Sequence, residues 1–252
     1  MNPFTINTQN LTRRFGERLA LNNVSFQVNT GEIFGYLGSN GAGKTTTIRI
    51  LLGLLPPTSG NLTVLGMDPV SQSTEIRSRC GALLEHTGLY ERLSAYENLD
   101  FYGRIWRLPS AARFKRIQEL LESIGLWERR NEVIREWSRG MKQKLAVARA
   151  LIHRPELVFL DEPSAGLDPL AAVALRDDLH KLVQQEKVTV FLTTHRLDEA
   201  EKLCDHVAVL HNGLLLASGT PADIKAQTGK NELEEAFLNL VRTQEKETWS
   251  KE

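Results

Sequence analysis

The most constraining feature of the chain is a glycine-rich segment at residues 38–45, which reads Gly-Ser-Asn-Gly-Ala-Gly-Lys-Thr. It fits the pattern G-x-x-x-x-G-K-[S/T], whose glycines let successive backbone N–H groups approach one polyphosphate. In this pattern Lys44 supplies a cation for the β- and γ-phosphates, and the Thr45 hydroxyl is a ligand for Mg²⁺. A glycine-rich turn that only caps a helix could carry the same residues, but chance produces the pattern in about one chain in a hundred of this length. We therefore predict a nucleoside triphosphate site.

The residues on both sides of this segment support the prediction. Residues 32–37 are predicted to form a short buried strand, and residues 46–52 a helix whose N-terminal dipole faces the phosphates. The predicted nucleotide-binding residues of the segment are Ser39, Asn40, Gly41, Ala42, Gly43, Lys44, Thr45 and Thr46.

A second segment supplies two adjacent carboxylates. Residues 157–162 read Leu-Val-Phe-Leu-Asp-Glu between two prolines, which is typical of a buried parallel strand. Such a strand would present Asp161 and Glu162 at its carboxyl end, where open α/β sheets bind ligands. Asp161 suits the Mg²⁺ shell, and Glu162 suits a general base for the attacking water. The alternative is a solvated strand end, which the phosphate-binding segment makes the weaker interpretation.

A third segment, residues 137–151, predicts a helix with Ser138 as its N-cap residue. Taken alone it could be an ordinary capped, basic, half-buried helix. In context, however, the chain resembles the nucleotide-binding subunit of ATP-binding cassette (ABC) transporters. The family signature, commonly Leu-Ser-Gly-Gly-Gln, corresponds here to Trp-Ser-Arg-Gly-Met at residues 137–141. The resemblance implies that Ser138 and Gly140 bind nucleotide, whereas the contacts of the usual Gln are in doubt.

The resemblance extends along nearly the whole chain, in the order that the family keeps. Residues 162–168 resemble the stretch that runs from the catalytic Glu into the D-loop. Residues 190–195 read as a strand ending at the position of the switch histidine, which implies that His195 contacts the γ-phosphate and orients Glu162 and water. Phe15 stands where the family keeps an aromatic residue that stacks on adenine. An ordinary strand aromatic is the alternative for Phe15, and it stays open.

One position departs from the family pattern. Residues 80–86 match the strand and loop where the family usually places a Gln that senses Mg²⁺ and the membrane partner, and here that place holds Glu85. A carboxylate would suit Mg²⁺, because hard cations prefer charged oxygen ligands. Glu85 together with the Ser-Arg-Gly-Met signature resembles the exporter-type subunits of drug-resistance and ABC-2 systems.

The predicted fold class is α/β, a P-loop NTPase core with an N-terminal antiparallel β subdomain and an inserted α-helical subdomain. Alternating apolar residues near residue 26 predict antiparallel strands over residues 4–28. A capping box at residues 94–97 and a predicted cap at Ser110 open two helices of the inserted subdomain. Asn212-Gly213 indicates a type I′ hairpin, and Thr220-Pro221 a helix start.

We expect these elements to form one ABC ATPase domain over residues 1–252. Its predicted parts are an α/β core with the β subdomain at residues 1–87 and 154–228, a helical subdomain at residues 88–153, and a C-terminal helix and tail at residues 229–252. The helical subdomain carries more apolar and aromatic residues than it can bury. We therefore expect a groove near residues 85–99, including Leu89 and Tyr90, that receives a short helix of a membrane partner.

Composition excludes several classes of protein. Lys plus Arg and Asp plus Glu both number 31, so no net field attracts nucleic acid or anionic lipid. The longest apolar stretches are far shorter than the roughly 20 residues of a membrane helix. Residues 1–4 lack the basic and apolar segments of a signal peptide. We expect a cytoplasmic chain without direct membrane insertion, attached to the inner face of the cell membrane through another subunit.

The resemblance implies an ATPase that uses ATP and Mg²⁺ to drive a separate transmembrane permease, in the direction of export. Two identical chains would pair head to tail, with Ser138 and Gly140 of one chain facing the phosphate-binding segment of the other. One alternative is a soluble ABC ATPase of translation or DNA repair, but the sequence shows no second cassette, basic linker or long coiled coil. Another is a nucleotide-gated binding module without turnover, against which Glu162 and His195 argue. The transported substrate is not encoded in this chain.

Overall fold

The structure, a computed structural model, describes residues 4–249, without the side chains of residue 182 and residues 247–249. Residues 1–3 of the segment assessed for a signal peptide and residues 250–252 of the predicted tail lie outside this description. The chain divides into two compact units. The first runs to Ser78 and resumes at Thr189, and the second is Arg79–Val188. The division of residues 1–252 that the sequence predicts stays a prediction.

The chain contains both strands and helices, with short 3₁₀ turns at Trp127–Arg129 and Ile134–Glu136. In chain order, the strands and helices are β1 (Phe4–Phe15), β2 (Arg18–Asn29), β3 (Ile33–Leu37), α1 (Lys44–Leu51), β4 (Ser59–Val64), α2 (Ser73–Ser78), β5 (Cys80–Leu83), α3 (Ala95–Ile105), α4 (Ser110–Ser123), α5 (Arg139–Leu151), β6 (Leu157–Asp161), α6 (Pro169–Glu186), β7 (Thr189–Thr194), α7 (Leu197–Leu203), β8 (His206–His211), β9 (Leu214–Gly219), α8 (Pro221–Thr228) and α9 (Leu233–Trp249).

The first unit contains an antiparallel sheet in the order β2-β1-β4. Along β2 the buried residues Val24, Phe26 and Val28 alternate with exposed ones, which is the period of a strand with one face packed. The antiparallel strands predicted for this part of the chain are therefore confirmed.

The same unit contains a mainly parallel sheet. Strand β3 lies between β7 and β8, both parallel to it, and β9 pairs with β8 in the antiparallel direction. All five residues of β3 are buried, as expected for a strand covered on both faces. The rings of Phe26, Phe34, Tyr36 and Phe191 pack together in the core, with centroids 5.3–6.0 Å apart. This aromatic cluster fixes β3, whose carboxyl end leads into the glycine-rich segment.

The second unit combines the parallel pair β5 and β6 with helices α3–α6. Arg116, which is 3% exposed, joins three of these helices. Its guanidinium donates hydrogen bonds to the Glu186 carboxylate on α6 (2.6 Å) and to the Leu151 carbonyl at the end of α5 (2.6 Å). Because a buried cation is costly without acceptors, these bonds hold α4 in one position.

Two local predictions have different outcomes. The predicted capping box at Ser94 and Glu97 is confirmed, with both reciprocal hydrogen bonds present. The predicted cap at Ser110 is wrong, because Ser110 is the first helical residue and Pro109 precedes it as the N-cap without a side-chain hydrogen bond. Pro109 has φ −56°, close to the value that its ring imposes, and its carbonyl accepts from the Arg113 N–H at 2.8 Å.

Just after α5, His153 contacts β5, and its protonated form opposes folding. The His153 ring stacks on Trp106 with centroids 3.8 Å apart, and its Nε2–H donates to the Cys80 carbonyl at 3.1 Å. Burial lowers the pKa of His153 from its ordinary value of 6.5 to about 4. Between those values the unfolded chain binds a proton that the folded chain excludes, so the free energy of unfolding falls as pH decreases through this window.

We predict that His153→Gln flattens this pH dependence. The His153 contribution amounts to at most about 3 kcal/mol between pH 7 and pH 4, and the variant should lose a large part of it. Urea unfolding at several pH values measures the effect, with His86→Gln at an exposed position as the matched control. An equal loss of stability on acidification in wild type and His153→Gln would contradict the prediction.

Candidate nucleotide-binding site

The glycine-rich segment lies between the carboxyl end of β3 and the first turn of α1. Gly43 is the N-cap residue of α1, with φ 117° and no side-chain cap. The N–H groups of the first helical turn have no partners within the helix, and the helix dipole adds positive charge there. The segment therefore presents backbone donors of the kind that binds an anion. The strand and helix predicted on either side of it are confirmed.

Close backbone packing explains two of the glycines. A Cβ on Gly43 would lie 2.7 Å from the Ala20 carbonyl oxygen and 2.8 Å from Leu21 Cδ2. A Cβ on Gly38 would lie 2.4 Å from the Leu210 carbonyl oxygen. These separations are shorter than any side chain tolerates, so β2 and β8 shape the loop from outside.

Lys44 is 6% exposed, and its side chain folds back across the loop. Its ammonium donates hydrogen bonds to the carbonyls of Gly38 (2.7 Å) and Ser39 (3.2 Å). A buried ammonium needs such acceptors, and it adds positive charge to the donors of the helix end. The residues present thus fit a polyphosphate, because its charge complements both the cation and the exposed N–H groups.

His195 stands next to this loop. Strands β3 and β7 run parallel with Leu37 opposite Thr194, and the Gly38 N–H donates to the Thr194 carbonyl at 3.4 Å. His195 follows β7 directly and is exposed. A cavity of about 290 Å³ joins the two segments, and its lining comprises Gly38, Ser39, Asn40, His195, Leu197 and Phe237. No sequence pattern pointed to Phe237, which belongs to α9 and reaches this cavity only through the fold.

The turn between β1 and β2 reaches the other side of the loop. Phe15 is 44% exposed, and the Arg13 guanidinium covers its ring at 4.5 Å from the centroid. Phe15 and Arg18 are paired residues of the hairpin. Arg18 Nη2 lies 3.9 Å from the position that a Cβ on Gly41 would occupy. The predicted adenine-stacking residue thus belongs to a turn that borders the phosphate-binding loop.

In the second unit, the two predicted carboxylates lie at the carboxyl end of β6. Asp161 is the last residue of the strand and is 9% exposed. Glu162 follows with φ 52°, a left-handed conformation that is uncommon outside glycine. The turn closes when the Ala165 N–H donates to the Glu162 carbonyl at 3.0 Å, and Asp168 then caps α6 by accepting from the Ala171 N–H at 2.9 Å. This strained position fixes the direction in which Glu162 leaves the strand.

The start of α5 packs beside that turn. Ser138 caps the helix by accepting from the Met141 N–H at 3.2 Å, which confirms the predicted cap. A Cβ on Gly140 would lie 3.0 Å from Ala171 Cβ, and a Cβ on Gly166 would lie 2.2 Å from Arg139 Nη1. The signature residues and the stretch after Glu162 therefore form one packed group within the second unit.

Glu85 is exposed and lies two residues beyond β5. Across residues 4–249, apart from the side chains named above as undescribed, no group of three or more His, Cys, Asp and Glu residues could hold a metal ion. Mg²⁺ in proteins usually keeps water and substrate phosphate oxygens besides one or two protein ligands. The role of Glu85 in the metal shell stays a prediction.

A loop of this geometry at the carboxyl end of a parallel strand defines a phosphate-loop nucleotide-binding protein of the α/β class. Comparison with known proteins makes the assignment narrower. The model of the family described as "ABC transporter" matches residues 21–165, and the chain belongs to this family. The fold class and the family predicted from the sequence are both confirmed.

Similar proteins agree with this assignment. The bacitracin transport ATP-binding protein BcrA of Bacillus licheniformis is 42% identical over 84% of this chain and 68% of its own length. YbhF of Escherichia coli, described as a probable multidrug ABC transporter ATP-binding protein, is 40% identical over 96% of this chain. This chain spans only 42% of the length of YbhF. A solved structure of an "ATP binding subunit of ABC transporter" has 33% identity and a TM-score of 0.82, with 94% of this chain and 99% of that chain covered.

The structure groups the predicted site residues by unit. Residues 39–46, the cavity-lining His195 and the β1–β2 hairpin that carries Phe15 belong to the first unit, and Ser138, Gly140, Asp161 and Glu162 lie around the turn after β6 in the second. The individual roles of these residues stay predictions. Sequence reasoning missed Phe237, as noted above, and Arg18, although a basic residue three positions after Phe15 was a readable signal for the latter.

We predict that Gly43→Ala destabilises the protein and weakens ATP binding. Its positive φ costs about 1–2 kcal/mol for a side chain, and the contact with the Ala20 carbonyl adds about 1–3 kcal/mol. Gly229→Ala is the matched control, because Gly229 also has a positive φ but a Cβ there would meet nothing within 4 Å. Thermal unfolding of both variants measures the difference. Equal destabilisation would show that the close approach of Ala20 does not matter.

Proposed function

We propose that this chain is the ATP-hydrolysing subunit of a membrane transporter and that it drives export through a separate permease. The observation that carries the proposal is the phosphate-binding loop, in which the buried Lys44 ammonium donates to two loop carbonyls and the exposed His195 lines the same cavity as the loop. The relatives' names, which include multidrug ABC transporter and Nod factor export proteins, support export. Within residues 4–249 no helix combines the length and the apolar composition that a bilayer span requires.

The residues divide the work of hydrolysis between binding and chemistry. The loop N–H groups and Lys44 hold the polyphosphate, and Phe15 stacks on the base. Mg²⁺, held by the Thr45 hydroxyl and the Asp161 carboxylate, would neutralise phosphate charge when bound. Glu162 accepts a proton from the attacking water. His195 contacts the γ-phosphate and orients Glu162 and that water. These roles follow from family membership and from the chemistry of each side chain.

The complete site would need two copies of the chain. Ser138 and Gly140 stand at the N-terminus of α5, where Ser138 is exposed and the helix dipole is positive. In a head-to-tail pair, this helix end would cover the polyphosphate bound by the loop of the other copy. The pair would dock on the permease at the inner face of the membrane. A soluble ABC ATPase without transport is the second candidate, but no described feature favours it over the relatives' transport names.

A surface for the permease lies on the second unit. Tyr90 and Phe101 are 48% and 38% exposed, and their rings meet edge to face at 4.9 Å. The fully buried Asn98 supports them, because its Oδ1 accepts from the Tyr90 N–H (2.8 Å) and its Nδ2 donates to the Tyr90 carbonyl (3.1 Å). With Tyr102, whose ring lies 5.4 Å from that of Phe101, they form what we call the aromatic patch. Leu89, also predicted for this groove, is only half-buried.

We predict that Tyr90→Ser uncouples transport from hydrolysis. An exposed ring can be lost with little effect on folding, whereas a partner helix would lose an apolar contact. The isolated subunit should keep its ATPase rate within about twofold, while transport by the reconstituted complex should fall about tenfold or more. Phe114→Ser is the matched control, because Phe114 is 49% exposed on α4 and lies outside the aromatic patch. Equal transport defects in both variants would contradict the prediction.

The sharpest test separates binding from chemistry. Lys44→Ala removes a cation of the polyphosphate site and should lower ATP affinity. Glu162→Gln keeps the shape but discards the base, so the rate should fall about 10²–10⁴-fold while binding persists. ATP should then trap Glu162→Gln as a dimer, which size exclusion with light scattering would detect. Adding Ser138→Arg to Glu162→Gln should abolish the trapped dimer, because a large cation crowds the facing site.

Glu128→Gln provides the control, since Glu128 is an exposed carboxylate of the same unit. It should hydrolyse ATP at the wild-type rate and dimerise no more than wild type. A Glu162→Gln enzyme with near wild-type activity would overturn the assignment of the base. A catalytically dead Glu162→Gln that stays monomeric with ATP and Mg²⁺ would count against the shared site.

A further inference from the structure

The end of the β1–β2 hairpin carries three arginines, and their surroundings differ. The Arg13 guanidinium stacks on Phe15 and donates to the Pro56 carbonyl at 2.8 Å. Arg14 donates to the Glu17 carbonyl at 3.4 Å. In the described part of the chain, the Arg18 guanidinium has neither a carboxylate in ion-pair range nor a hydrogen-bond acceptor. Arg18 is exposed, so its charge is available to a ligand.

The position of Arg18 relates it to the phosphate-binding loop. Its Nη2 atom lies 3.9 Å from the position that a Cβ on Gly41 would occupy, and it is the nearest atom to that position. Gly41 is itself exposed and has φ 80°. A guanidinium at this distance can reach an anion held by the loop, since a charge-assisted hydrogen bond to phosphate spans about 2.7–2.9 Å. The site would thus contain a second cation besides Lys44.

We propose that Arg18 is a nucleotide-binding residue that contacts the polyphosphate at the end nearer the base. This inference rests on the function proposed above. Arg18 pairs across the hairpin with Phe15, the exposed ring assigned to the base. The Lys44 ammonium donates instead to the carbonyls of Gly38 and Ser39, two residues that line a cavity together with His195. Arg18 therefore contacts the phosphates that ADP and ATP share, whereas Lys44 and His195 contact the γ-phosphate end of ATP.

The hairpin geometry accounts for the placement. Phe15 and Arg18 close a two-residue turn, so the ring and the guanidinium leave the same end of the antiparallel pair. Arg13 occupies one face of the Phe15 ring, which leaves the opposite face for a base. A nucleotide whose base stacks on that face and whose phosphates enter the loop must pass the end of the hairpin. Arg18 meets it there.

The test measures affinity rather than turnover. In the full-length chain with Glu162→Gln, which prevents consumption of ATP, calorimetry gives the Kd for MgATP and for MgADP. Arg18→Gln should raise both Kd values by a similar factor of about ten, as expected for one charged hydrogen bond. His195→Ala should weaken ATP more than ADP. Arg18→Lys should recover part of the loss, and raising the salt concentration should reduce the difference between Arg18→Gln and its parent.

Arg14→Gln is the matched control, because it removes the same charge from the same hairpin and should change neither Kd more than about twofold. Equal Kd values for Arg18→Gln and Arg14→Gln would overturn the proposal, and so would a loss confined to ATP. A lower Tm without nucleotide in Arg18→Gln alone would assign Arg18 a structural role and overturn it too. If Lys44→Ala bound ATP as tightly as its parent, the proposed function itself would fail. If Lys44→Ala lost binding and Arg18→Gln did not, only the role of Arg18 would fail.

Discussion

Close backbone contact around the glycine-rich loop is the constraint on which the rest of the candidate site depends. Gly38 and Gly43 leave no room for a Cβ because the carbonyls of Leu210 and Ala20 press against them. The Gly213 N–H also donates to the Ala42 carbonyl at 3.0 Å, so the turn of the β8–β9 hairpin is bonded directly to the loop. A loop fixed by three neighbouring segments presents its donors without paying for their ordering when a ligand binds. This preorganisation is what an anion site at a helix end requires.

The two units order their predicted site residues by different physical means. In the first unit, the loop is ordered by packing and backbone hydrogen bonds, and its charge comes from Lys44. In the second, Glu162 adopts a left-handed conformation that costs about 1–2 kcal/mol and persists only because the following turn is over-determined. Arg139 packs beside that turn, since its guanidinium lies against Gly166, whose φ of 70° disfavours a side chain there. The Arg139 guanidinium thus occupies the space beside Gly166 that a side chain would enter.

The sequence was most informative for features that depend on a few neighbouring residues. The loop, the buried strands β3 and β6, the Ser138 cap and the Asn212-Gly213 hairpin could all be predicted, because glycine geometry, apolar runs and hydroxyl caps act over a few residues. Features that join distant residues could not be predicted. Asn98 reads as an ordinary helical polar residue, yet the fold buries it and makes it the support of the aromatic patch. The prediction that Ser110 caps α4 failed for a local reason, because Pro109 occupies the N-cap position.

Phe237 shows how far a contact can lie from any sequence signal. Helix α7 begins two residues after His195, and Glu201 on α7 accepts from the Leu233 N–H at the start of α9 (3.2 Å) and from the Lys225 ammonium on α8. These bonds place α9 so that Phe237 reaches the cavity beside His195. The histidine segment is therefore held from two directions, by β7 pairing with β3 on one side and by the C-terminal helix on the other. Helix α9 therefore contributes to the surroundings of His195 together with the sheet that carries the histidine.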